Sequence, residues 1–208
     1  MKTLALLLAG LFLAGLCLVE PLPCLAAEPD PSRGRTVGNP AAPLLFELYS
    51  DFSCPGCKHL HENVLPAIIL DYVNTGKAFL VFREFPLNIP AHVYSRPAAN
   101  FAVAAARIGK YQAVSDALFR SQAEWSVSGK VWETVASVLT PQEQKQVQAL
   151  SKDPGVLADV QRDVDRGVAA HLAQTPTIIV TYKLRQQPWS QFADYSLFRG
   201  YIDALLKK

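Results

Sequence analysis

Residues 44–57 read LLFELYSDFSCPGC and contain the change of pattern on which the fold depends. The first six, Leu44 to Tyr49, form an apolar run of the length of a β-strand. Cys54 follows after a short turn, and from Pro55 onward apolar residues recur at helical spacing. Proline suits the first position of a helix, where its missing N–H costs nothing. The stretch therefore predicts a strand, a turn and a helix, with Cys54 at the junction.

The helix and a second strand complete a β-α-β unit. Apolar residues continue at steps of three and four from Leu60 to Tyr72, Pro66 predicts a kink in this helix, and Gly76 predicts its end. Residues 78–82, AFLVF, then have the pattern of a strand. Because a helix joins the two strands, we expect them to be parallel.

Cys54 and Cys57 form a CxxC motif, with Pro55 and Gly56 between them, at the start of the predicted helix. The free N–H groups and the dipole of a helix N-terminus stabilise an anion. A thiolate is the reactive form of cysteine, and in such a motif its pKa falls from about 8.5 to roughly 3.5–7.5. We therefore expect Cys54 to be the nucleophile and Cys57, one turn further on, to be more buried and less acidic.

Other uses of the CxxC motif fit the sequence less well. A c-type haem site needs His after the second cysteine, but Lys58 stands there. Zinc needs about four ligands, and a site of Cys54, Cys57 and His61 lacks the fourth. A structural disulfide across so short a loop gives little stabilisation. We predict no metal and no cofactor, and we expect His59 and His61 to be solvated in the first turns of the helix.

The first 27 residues have the order of a secretory signal peptide. Lys2 is followed by an apolar run from Leu4 to Val19, and then by a stretch that ends in Ala26-Ala27. The run is short for a membrane span, which needs about 20 residues. We therefore expect cleavage near Ala27, a periplasmic or secreted protein that keeps two cysteines, and a mobile linker over residues 28–37. An uncleaved N-terminal membrane anchor is the alternative.

The middle of the chain, about residues 91–173, has no convincing strand and reads as a helical block. Helical patterns cover residues 98–107, 112–125, 131–139, 141–150 and 156–173. Thr140 has the residue type of a helix N-cap, with Pro141 behind it. Strand character returns at Thr177 to Tyr182, a weaker strand is predicted near 189–192, and a helix is predicted from Asp194 to Leu206.

Composition limits the classes of function. The chain has 208 residues, half of them apolar, and a formal net charge of +2. This length and composition fit one globular domain rather than a disordered chain. Basic residues form no run or stripe, so we expect no binding to nucleic acid. We find no clear dimerisation domain in the helical block and expect a monomer.

Several short motifs, taken in order, resemble the DsbA-like branch of the thioredoxin superfamily. They are GNP at 38–40, SDFSCPGC at 50–57, FREFPL at 82–87, His92, the alanine-rich helix, GKY at 109–111, ALF at 117–119, TPT at 175–177 and the final helix. The resemblance covers about residues 38–206. It implies an α/β, thioredoxin-like fold with an inserted α-helical block at about 91–173, in one domain over residues 38–208.

The resemblance also implies an activity. It implies exchange of disulfides with cysteine-containing client proteins through Cys54 and Cys57, together with a membrane or soluble redox partner. It implies further that Pro176 is a cis-proline facing the cysteine pair. The Thr175 backbone would then be free to pair with an extended substrate peptide.

Two positions depart from the pattern of the family. Family members often carry a buried glutamate six residues before the first cysteine for proton transfer, but Leu48 stands there and Glu47 precedes it. Since one residue changes the face of a strand, we expect Glu47 to be an edge or surface charge. Glu84 or a water could relay protons instead, and nothing in the sequence decides between them. Gln174 stands where the family often has a glycine region, so a different shape of the substrate loop is expected.

The sequence leaves the direction of exchange open. The export signal favours an oxidase, and the Pro-Gly dipeptide predicts a potential short of the most oxidising extreme. A reductase or isomerase is the alternative. A non-catalytic peptide- or metal-binding protein could also use this fold, because fold alone does not determine activity.

Overall fold

A computed structural model describes residues 32–207 of the chain. In this part, five strands form one mixed sheet in the order β1-β3-β2-β4-β5. They are β1 (Thr36–Gly38), β2 (Leu44–Ser50), β3 (Ala78–Glu84), β4 (Thr177–Tyr182) and β5 (Arg185–Trp189). The predicted signal peptide, residues 1–27, and the start of the predicted linker lie outside the described residues. Between residues 32 and 207, no helix has the length and apolar character of a membrane span.

The two central strands confirm the predicted β-α-β unit. β2 and β3 are parallel, with Leu44 opposite Ala78 and Ser50 opposite Glu84. β4 pairs antiparallel with the other edge of β2. The helical block lies in the chain between β3 and β4, so strands far apart in sequence share one sheet. This is the α/β arrangement with an inserted helical block that the resemblance implies.

One long helix follows Cys54. It consists of α1 (Pro55–His59), a π-helical turn (Leu60–Val64), α2 (Leu65–Ile68) and a second π-helical turn (Ile69–Val73). Pro66 accounts for the first π turn, because it has no N–H with which to continue the hydrogen bonds of an α-helix. In this turn, the Leu65 N–H donates to the Leu60 carbonyl five residues back. Gly76, with φ of +73°, lies just past the helix end, as predicted.

The helical block consists of a short 3₁₀ turn and six helices in the described chain. They are Pro90–His92, α3 (Ser95–Ala106), α4 (Tyr111–Arg120), α5 (Gln122–Ser128), α6 (Val131–Ala136), α7 (Pro141–Leu150) and α8 (Pro154–Ala169). The single helix predicted over 112–125 is divided at Ser121, whose ψ of +17° is not helical. Thr140 caps α7 as predicted, and its side chain and that of Glu143 accept each other's backbone N–H.

The prediction of a mobile linker is wrong for its last residues. Thr36–Gly38 is strand β1, which pairs antiparallel with β3 at an edge of the sheet. Arg35 is 1 % exposed and forms an ion pair with Asp163 of α8. The polar composition of this segment indicates a linker, and its local sequence gives no sign of a buried partner 128 residues away.

The weak strand predicted near residues 189–192 lies earlier, at β5. A two-residue turn, Lys183-Leu184, joins β4 to β5 and places Tyr182 opposite Arg185. β5 is an edge strand with mostly exposed polar residues, so it lacks the apolar alternation by which strands are recognised. The final helix α9 (Tyr195–Leu206) is confirmed, and the Asp194 side chain caps its first turn.

The central strands β2 and β3 are buried on both faces of the sheet. On one face, Phe46 of β2 packs edge-on against Tyr72 of the long helix and Phe198 of α9. On the other face, Phe85 packs against Tyr49 beneath α8. Gly167 of α8 allows this close approach, because a Cβ there would lie 2.5 Å from the Phe85 ring. Because β2 and β3 are parallel, their carboxyl ends lie at the same edge of the sheet, and the CxxC motif begins there.

Candidate active site

Cys54 lies where β2 passes into the long helix. It is the N-cap residue, with extended backbone angles (φ −78°, ψ 121°). Its carbonyl accepts hydrogen bonds from the N–H groups of Cys57 and Lys58, which start the helix. Pro55 occupies the first turn, as predicted. The Cys54 side chain is partly exposed, so a thiol or disulfide of another molecule can reach it.

Cys57 lies one helical turn further on and is buried, with 1 % of its surface exposed. The backbone N–H of Asp51 donates to its Sγ at 3.4 Å. Both cysteines are free thiols in this structure. The motif therefore combines an outer sulfur that other molecules can meet with an inner sulfur that they cannot.

The two thiols have opposite pKa shifts. The pKa of Cys54 falls to about 5, chiefly because the Cys57 thiol donates a hydrogen bond to its thiolate. Burial acts in the opposite direction and raises the pKa, but it is outweighed. Thr175 and the N–H groups of Cys57 and Gly56 stabilise the thiolate further. Burial raises the pKa of Cys57 well above its ordinary value, and the nearby Cys54 thiolate raises it further. Cys54 is thus ionised at neutral pH while Cys57 keeps its proton.

The Thr175–Pro176 peptide bond is cis, as the resemblance implies, and this loop packs against the CxxC motif. Cys54 Sγ lies 3.4 Å from the Thr175 carbonyl oxygen, to which it donates while the thiol is protonated. A Cβ placed on Gly56 would lie 3.2 Å from Pro176 Cδ, so the motif glycine permits the close contact. The structure brings together all six site residues named from the sequence, which are Cys54, Pro55, Gly56, Cys57, Thr175 and Pro176.

Asp51 organises the loop before the cysteine motif, a role that the sequence does not reveal. Its buried carboxylate accepts hydrogen bonds from the N–H groups of Ser53 (2.7 Å) and Leu87 (2.8 Å) and from the Ser95 hydroxyl. Its Oδ2 also lies 2.7 Å from His92 Nδ1. Asp51 therefore ties the loop to the segment that follows β3. Aspartate is common in turns, and only these distant partners distinguish it.

Gln122 of the helical block holds the same loop from another side. Its side-chain amide donates to the carbonyls of Phe52 at 2.6 Å and Cys54 at 3.0 Å. Lys58 makes a reciprocal contact, since its Nζ donates to the Phe119 carbonyl near the end of α4 at 2.7 Å. The partners are 61 to 70 residues apart, so no local pattern could predict these contacts. They fix the CxxC loop against the inserted block.

The prediction that His61 is solvated is wrong, whereas His59 is exposed as expected. The His61 ring packs against Phe119, with 4.6 Å between ring centroids, and its Nε2 lies 2.7 Å from Asp116 Oδ1. His61 therefore faces the helical block. Among residues 32–207, no three or more His, Cys, Asp or Glu side chains are grouped so that they could hold a metal ion.

The prediction that Glu47 is an edge or surface charge is also wrong. β2 is an interior strand, and Glu47 is 8 % exposed. Its carboxylate accepts two hydrogen bonds from the Arg83 guanidinium, at 2.7 and 3.0 Å. Glu47 does face away from the side occupied by Leu48, as one step along a strand requires. That face is covered by α8, whose Asp163 contacts Arg83 as well.

Glu84 and Gln174, the other two residues noted from the sequence, occupy different environments. Glu84 is 1 % exposed and accepts a hydrogen bond from the Tyr111 hydroxyl at 2.7 Å. Gln174 stands in the loop before the cis-proline, where its carbonyl accepts a hydrogen bond from the Thr177 hydroxyl at 2.9 Å. Glu84 is therefore a buried acid on the strand that neighbours β2.

Comparison with known proteins places this geometry in a family. The sequence profile of the family described as Thioredoxin matches residues 31–203. The crystal structure of alpha-DsbA1 from Wolbachia pipientis superposes with a TM-score of 0.68 at 21 % identity, over 83 % of this chain and 90 % of that one. Oxidised BdbD from Bacillus subtilis gives 0.68 at 22 % identity, over 84 % and 93 %. These likenesses show a shared fold, including the helical insertion.

Two curated relatives differ in how much of their length is matched. Disulfide bond formation protein D of Bacillus subtilis is 23 % identical, over 88 % of this chain and 82 % of that protein. A Na(+)/H(+) antiporter, NhaA 1 of Mycolicibacterium gilvum, is 33 % identical over 84 % of this chain. The chain spans only 26 % of the length of that antiporter. The match of the family model to residues 31–203, together with the fold, shows that the chain belongs to the thioredoxin family.

Proposed function

We propose that this protein is an exported thiol–disulfide oxidoreductase that exchanges disulfides with cysteine-containing client proteins, in the oxidase direction. The observation that carries the proposal is the pairing of an accessible Cys54, with a pKa of about 5, and a buried Cys57. Such a pair can form an internal disulfide and pass it on. Export to the periplasm or the medium is supported by the signal-peptide pattern of residues 1–27.

In the oxidase direction, the reaction begins from the Cys54–Cys57 disulfide. A client thiolate attacks Cys54 Sγ, a mixed disulfide forms, and Cys57 leaves as a thiolate that takes up a proton. The second client thiol loses its proton and attacks the client sulfur of the mixed disulfide, which releases Cys54 as a thiolate. The client loses two electrons and two protons. The protein accepts both electrons and one proton, and the other proton passes to solvent because Cys54 stays ionised at neutral pH.

Stabilisation of the Cys54 thiolate supports this direction. The hydrogen bonds to the Cys54 thiolate exist only while its sulfur is free, so they favour the reduced protein over its disulfide form. A low pKa also makes Cys54 a better leaving group when the client disulfide closes. Pro55 removes one N–H, and Gly56 adds no side-chain donor, so we expect a potential short of the most oxidising members of the family.

The loop before β4 is proposed as the binding site for the client backbone. The Thr175 carbonyl lies 3.4 Å from Cys54 Sγ, next to the position that a client sulfur would take. An extended peptide beside Thr175 and Pro176 could add main-chain hydrogen bonds to this loop. Main-chain pairing reads the backbone rather than side chains, which is compatible with many different clients.

The proposal requires a second partner that restores the disulfide. Each turnover leaves Cys54 and Cys57 reduced, so a membrane or soluble redox partner must remove two electrons from them. We propose that the protein acts as a monomer in both exchanges, since Cys54 and Cys57 come from the same chain and complete the pair without a second copy.

Replacing Cys57 with serine tests the proposal. The Cys57→Ser variant keeps the Cys54 thiolate but cannot resolve a mixed disulfide, so we expect it to accumulate adducts with client proteins when the full chain is expressed in an exporting bacterium. The adducts should appear on non-reducing gels and disappear on reduction. The Cys54→Ser/Cys57→Ser double variant is the control. Absence of adducts that depend on Cys54 would contradict thiol–disulfide exchange.

A further inference from the structure

Each exchange places a negative charge on the buried sulfur of Cys57 for a short time. When the Cys54–Cys57 disulfide opens, Cys57 leaves as a thiolate, although it holds a proton at neutral pH once the exchange is complete. The residue is 1 % exposed, so bulk water cannot solvate this charge. A buried anion is costly unless hydrogen-bond donors take the place of water. The donors that contact the Cys57 sulfur therefore bear on the rate of exchange.

One peptide group, between Ser50 and Asp51, is aimed at this sulfur. Its N–H, which belongs to Asp51, donates to Cys57 Sγ at 3.4 Å. Its carbonyl, which belongs to Ser50, accepts a hydrogen bond from the Phe85 N–H at 2.8 Å. Because the C=O and N–H of a trans peptide point in opposite directions, the bond to Phe85 holds the N–H towards Cys57. The same bond polarises the peptide group and strengthens it as a donor.

The Asp51 side chain holds the same peptide group from the other side. Its carboxylate accepts hydrogen bonds from two backbone N–H groups and a hydroxyl, and it lies 2.7 Å from His92 Nδ1. The carboxylate thus points into the loop and the segment after β3, while the N–H of the same residue points to Cys57. The Asp51 N–H is therefore fixed in place before the charge on Cys57 develops.

The Ser50 side chain supplies a second donor. Leu48, Ser50 and Phe52 follow one another at steps of two and line one small cavity together with Cys57. A hydroxyl in this position can rotate to donate to a thiolate. Burial, followed by the neighbouring Cys54 sulfur, raises the pKa of Cys57, whereas the Asp51 N–H and the Ser50 hydroxyl act in the opposite direction. Both donors thus favour the thiolate form of Cys57.

Other polar groups of the cavity are engaged elsewhere. The Tyr111 hydroxyl donates to Glu84 at 2.7 Å, and His61 Nε2 lies 2.7 Å from Asp116 Oδ1. The Ser115 hydroxyl of α4 also lines the cavity, but among residues 32–207 it makes no hydrogen bond to the Cys57 sulfur. Ser115 is consequently a control for the general polarity of the cavity.

We propose that the Ser50 hydroxyl and the Asp51 N–H form a two-donor site that stabilises the Cys57 thiolate while the disulfide opens and closes. The inference rests on the proposed function. Ser50 is then a further catalytic residue, because its hydroxyl meets a reacting sulfur, and the Asp51 carboxylate positions the second donor. Fixed donors of this kind are most effective where charge develops during the reaction.

The two donors share their hydrogens with the sulfur and transfer none. In the opening direction, a client thiolate bonds to Cys54 Sγ, the Cys54–Cys57 bond breaks, and its electron pair remains on Cys57 Sγ. The Cys57 thiolate then takes up one of the protons that the client thiols release. In the closing direction, Cys57 loses its proton to solvent and attacks Cys54 Sγ, and the client leaves as a thiolate with the electron pair of the broken bond.

The site should change the rates of exchange more than the equilibrium. Cys57 is charged only during exchange, so the donors stabilise the transition state more than the disulfide or the protonated thiol on either side of it. Loss of one donor should slow opening and closing by the same factor and leave their ratio nearly unchanged. A merely structural role for Ser50 would not slow both directions equally.

The test measures both directions with glutathione. The oxidised full chain is mixed with reduced glutathione, and the reduced full chain with oxidised glutathione. Samples quenched in acid at intervals are analysed by mass spectrometry for the adduct at Cys54. All samples are kept at one pH, because burial raises the pKa of Glu84, opposite Ser50 on β3, to about 7 and its charge would otherwise vary. In Ser50→Ala, we expect opening and closing of the internal disulfide each to slow by roughly tenfold.

Matched variants separate the hydroxyl from side-chain shape. Ser50→Thr and Ser50→Val have nearly the same shape, and only threonine keeps a hydroxyl, so Ser50→Thr should retain both rates and Ser50→Val should lose them. This pair tests the inference even where Ser50→Ala fails to fold. Ser115→Ala should keep both rates.

Three results would overturn the inference. They are unaltered rates in Ser50→Ala or Ser50→Val, equal slowing in Ser50→Thr and Ser50→Val, and equal slowing in Ser115→Ala. Failure of the unaltered protein to form any glutathione adduct at Cys54 would instead overturn the proposed function itself.

Discussion

At the scale of single residues, two identical side chains acquire different chemistry from their places in one helical turn. Cys54 caps the helix, and its sulfur meets a thiol and backbone N–H groups that stabilise an anion. Cys57 lies three positions further on, where the core removes water and raises its pKa. The difference in reactivity is thus a difference in solvation and hydrogen bonding, because the covalent chemistry of the two residues is the same.

The Cys54 titration is a direct prediction at this scale. We expect the thiolate absorbance of the reduced protein and its rate of alkylation by iodoacetamide both to rise with a midpoint near pH 5. Cys54→Ser is the control and should remove this transition. A midpoint near 8.5, the value of an unperturbed thiol, would contradict the site geometry.

Glu84 predicts how stability depends on pH. Its pKa is raised from 4.5 to about 7 in the folded protein, so the folded state binds the proton more tightly than the unfolded state. The stability that the neutral acid provides is present below about pH 4.5 and is lost as the pH rises through about 7. Relative to the unaltered protein, Glu84→Gln should therefore gain about 2 kcal/mol between pH 5 and pH 8.

Urea unfolding of both proteins, in the same redox form, measures this difference. Since the glutamine amide of the variant still offers an oxygen to the Tyr111 hydroxyl, the hydrogen bond itself should not dominate the result. A difference in unfolding free energy that stays constant from pH 5 to pH 8 would show that Glu84 titrates in the same range when folded and unfolded.

At the scale of elements, short-range patterns predict what short-range interactions determine. The Thr140 cap, the first-turn Pro55 and the strand at residues 177–182 all depend on neighbours within a few positions, and all were predictable. The break at Ser121 and the position of β5 were missed. β5 lies at an exposed edge, where its polar residues carry no periodic signal of burial.

The turn between β4 and β5 is unusual for its residues. Lys183 and Leu184 have φ of +47° and +66°, in the left-handed region that favours Asn and Gly in two-residue hairpins. Leu184 is 97 % exposed and so gains little from burial. Because a left-handed conformation costs an ordinary residue about 1–2 kcal/mol, Leu184→Gly should raise the free energy of unfolding by about 1 kcal/mol.

A neighbouring substitution provides the control for the turn. Arg185→Gly removes an exposed side chain at the first residue of β5, where φ is not positive. It should lower stability, because glycine in a strand loses more entropy on folding. Thermal or urea unfolding that shows Leu184→Gly to be less stable than the unaltered protein would contradict the backbone assignment at this turn.

At the scale of the whole molecule, a buried charge network joins the N-terminal segment, the sheet and the helical block. Asp163 of α8 accepts from the guanidinium groups of Arg35 and Arg83 and from the Glu84 N–H. Arg83 in turn binds Glu47. This network covers the face of the sheet opposite Cys57, and it holds β3 against α8.

Asp163 should consequently be a major determinant of stability. Asp163→Ala leaves two buried or nearly buried arginines without their shared partner, and removal of one member of such a pair costs about 3–5 kcal/mol. The matched control is Asp165→Ala on the exposed face of the same helix, which should change stability by less than about 0.5 kcal/mol. Similar unfolding midpoints for the two variants would show that the network contributes little.

The residues of the site that act through partners distant in sequence could not be identified from the sequence. The CxxC motif and the loop at Thr175 and Pro176 were identified as one site, because their motif order is specific. Asp51 and Gln122 were not, since each acts through partners 36 to 70 residues away. Polar residues of these types are common in turns and helix starts, so only the folded chain shows which of them hold the cysteine loop.

The reduction potential of the Cys54–Cys57 pair tests the central claim most directly. The purified protein is equilibrated with glutathione buffers, and the redox state of the two cysteines is read by alkylation and mass spectrometry. An oxidase with a stabilised Cys54 thiolate should give a value between about −120 and −180 mV. A value near about −270 mV, as in thioredoxin, would mean a reductant that needs a supply of electrons and would contradict the oxidase assignment.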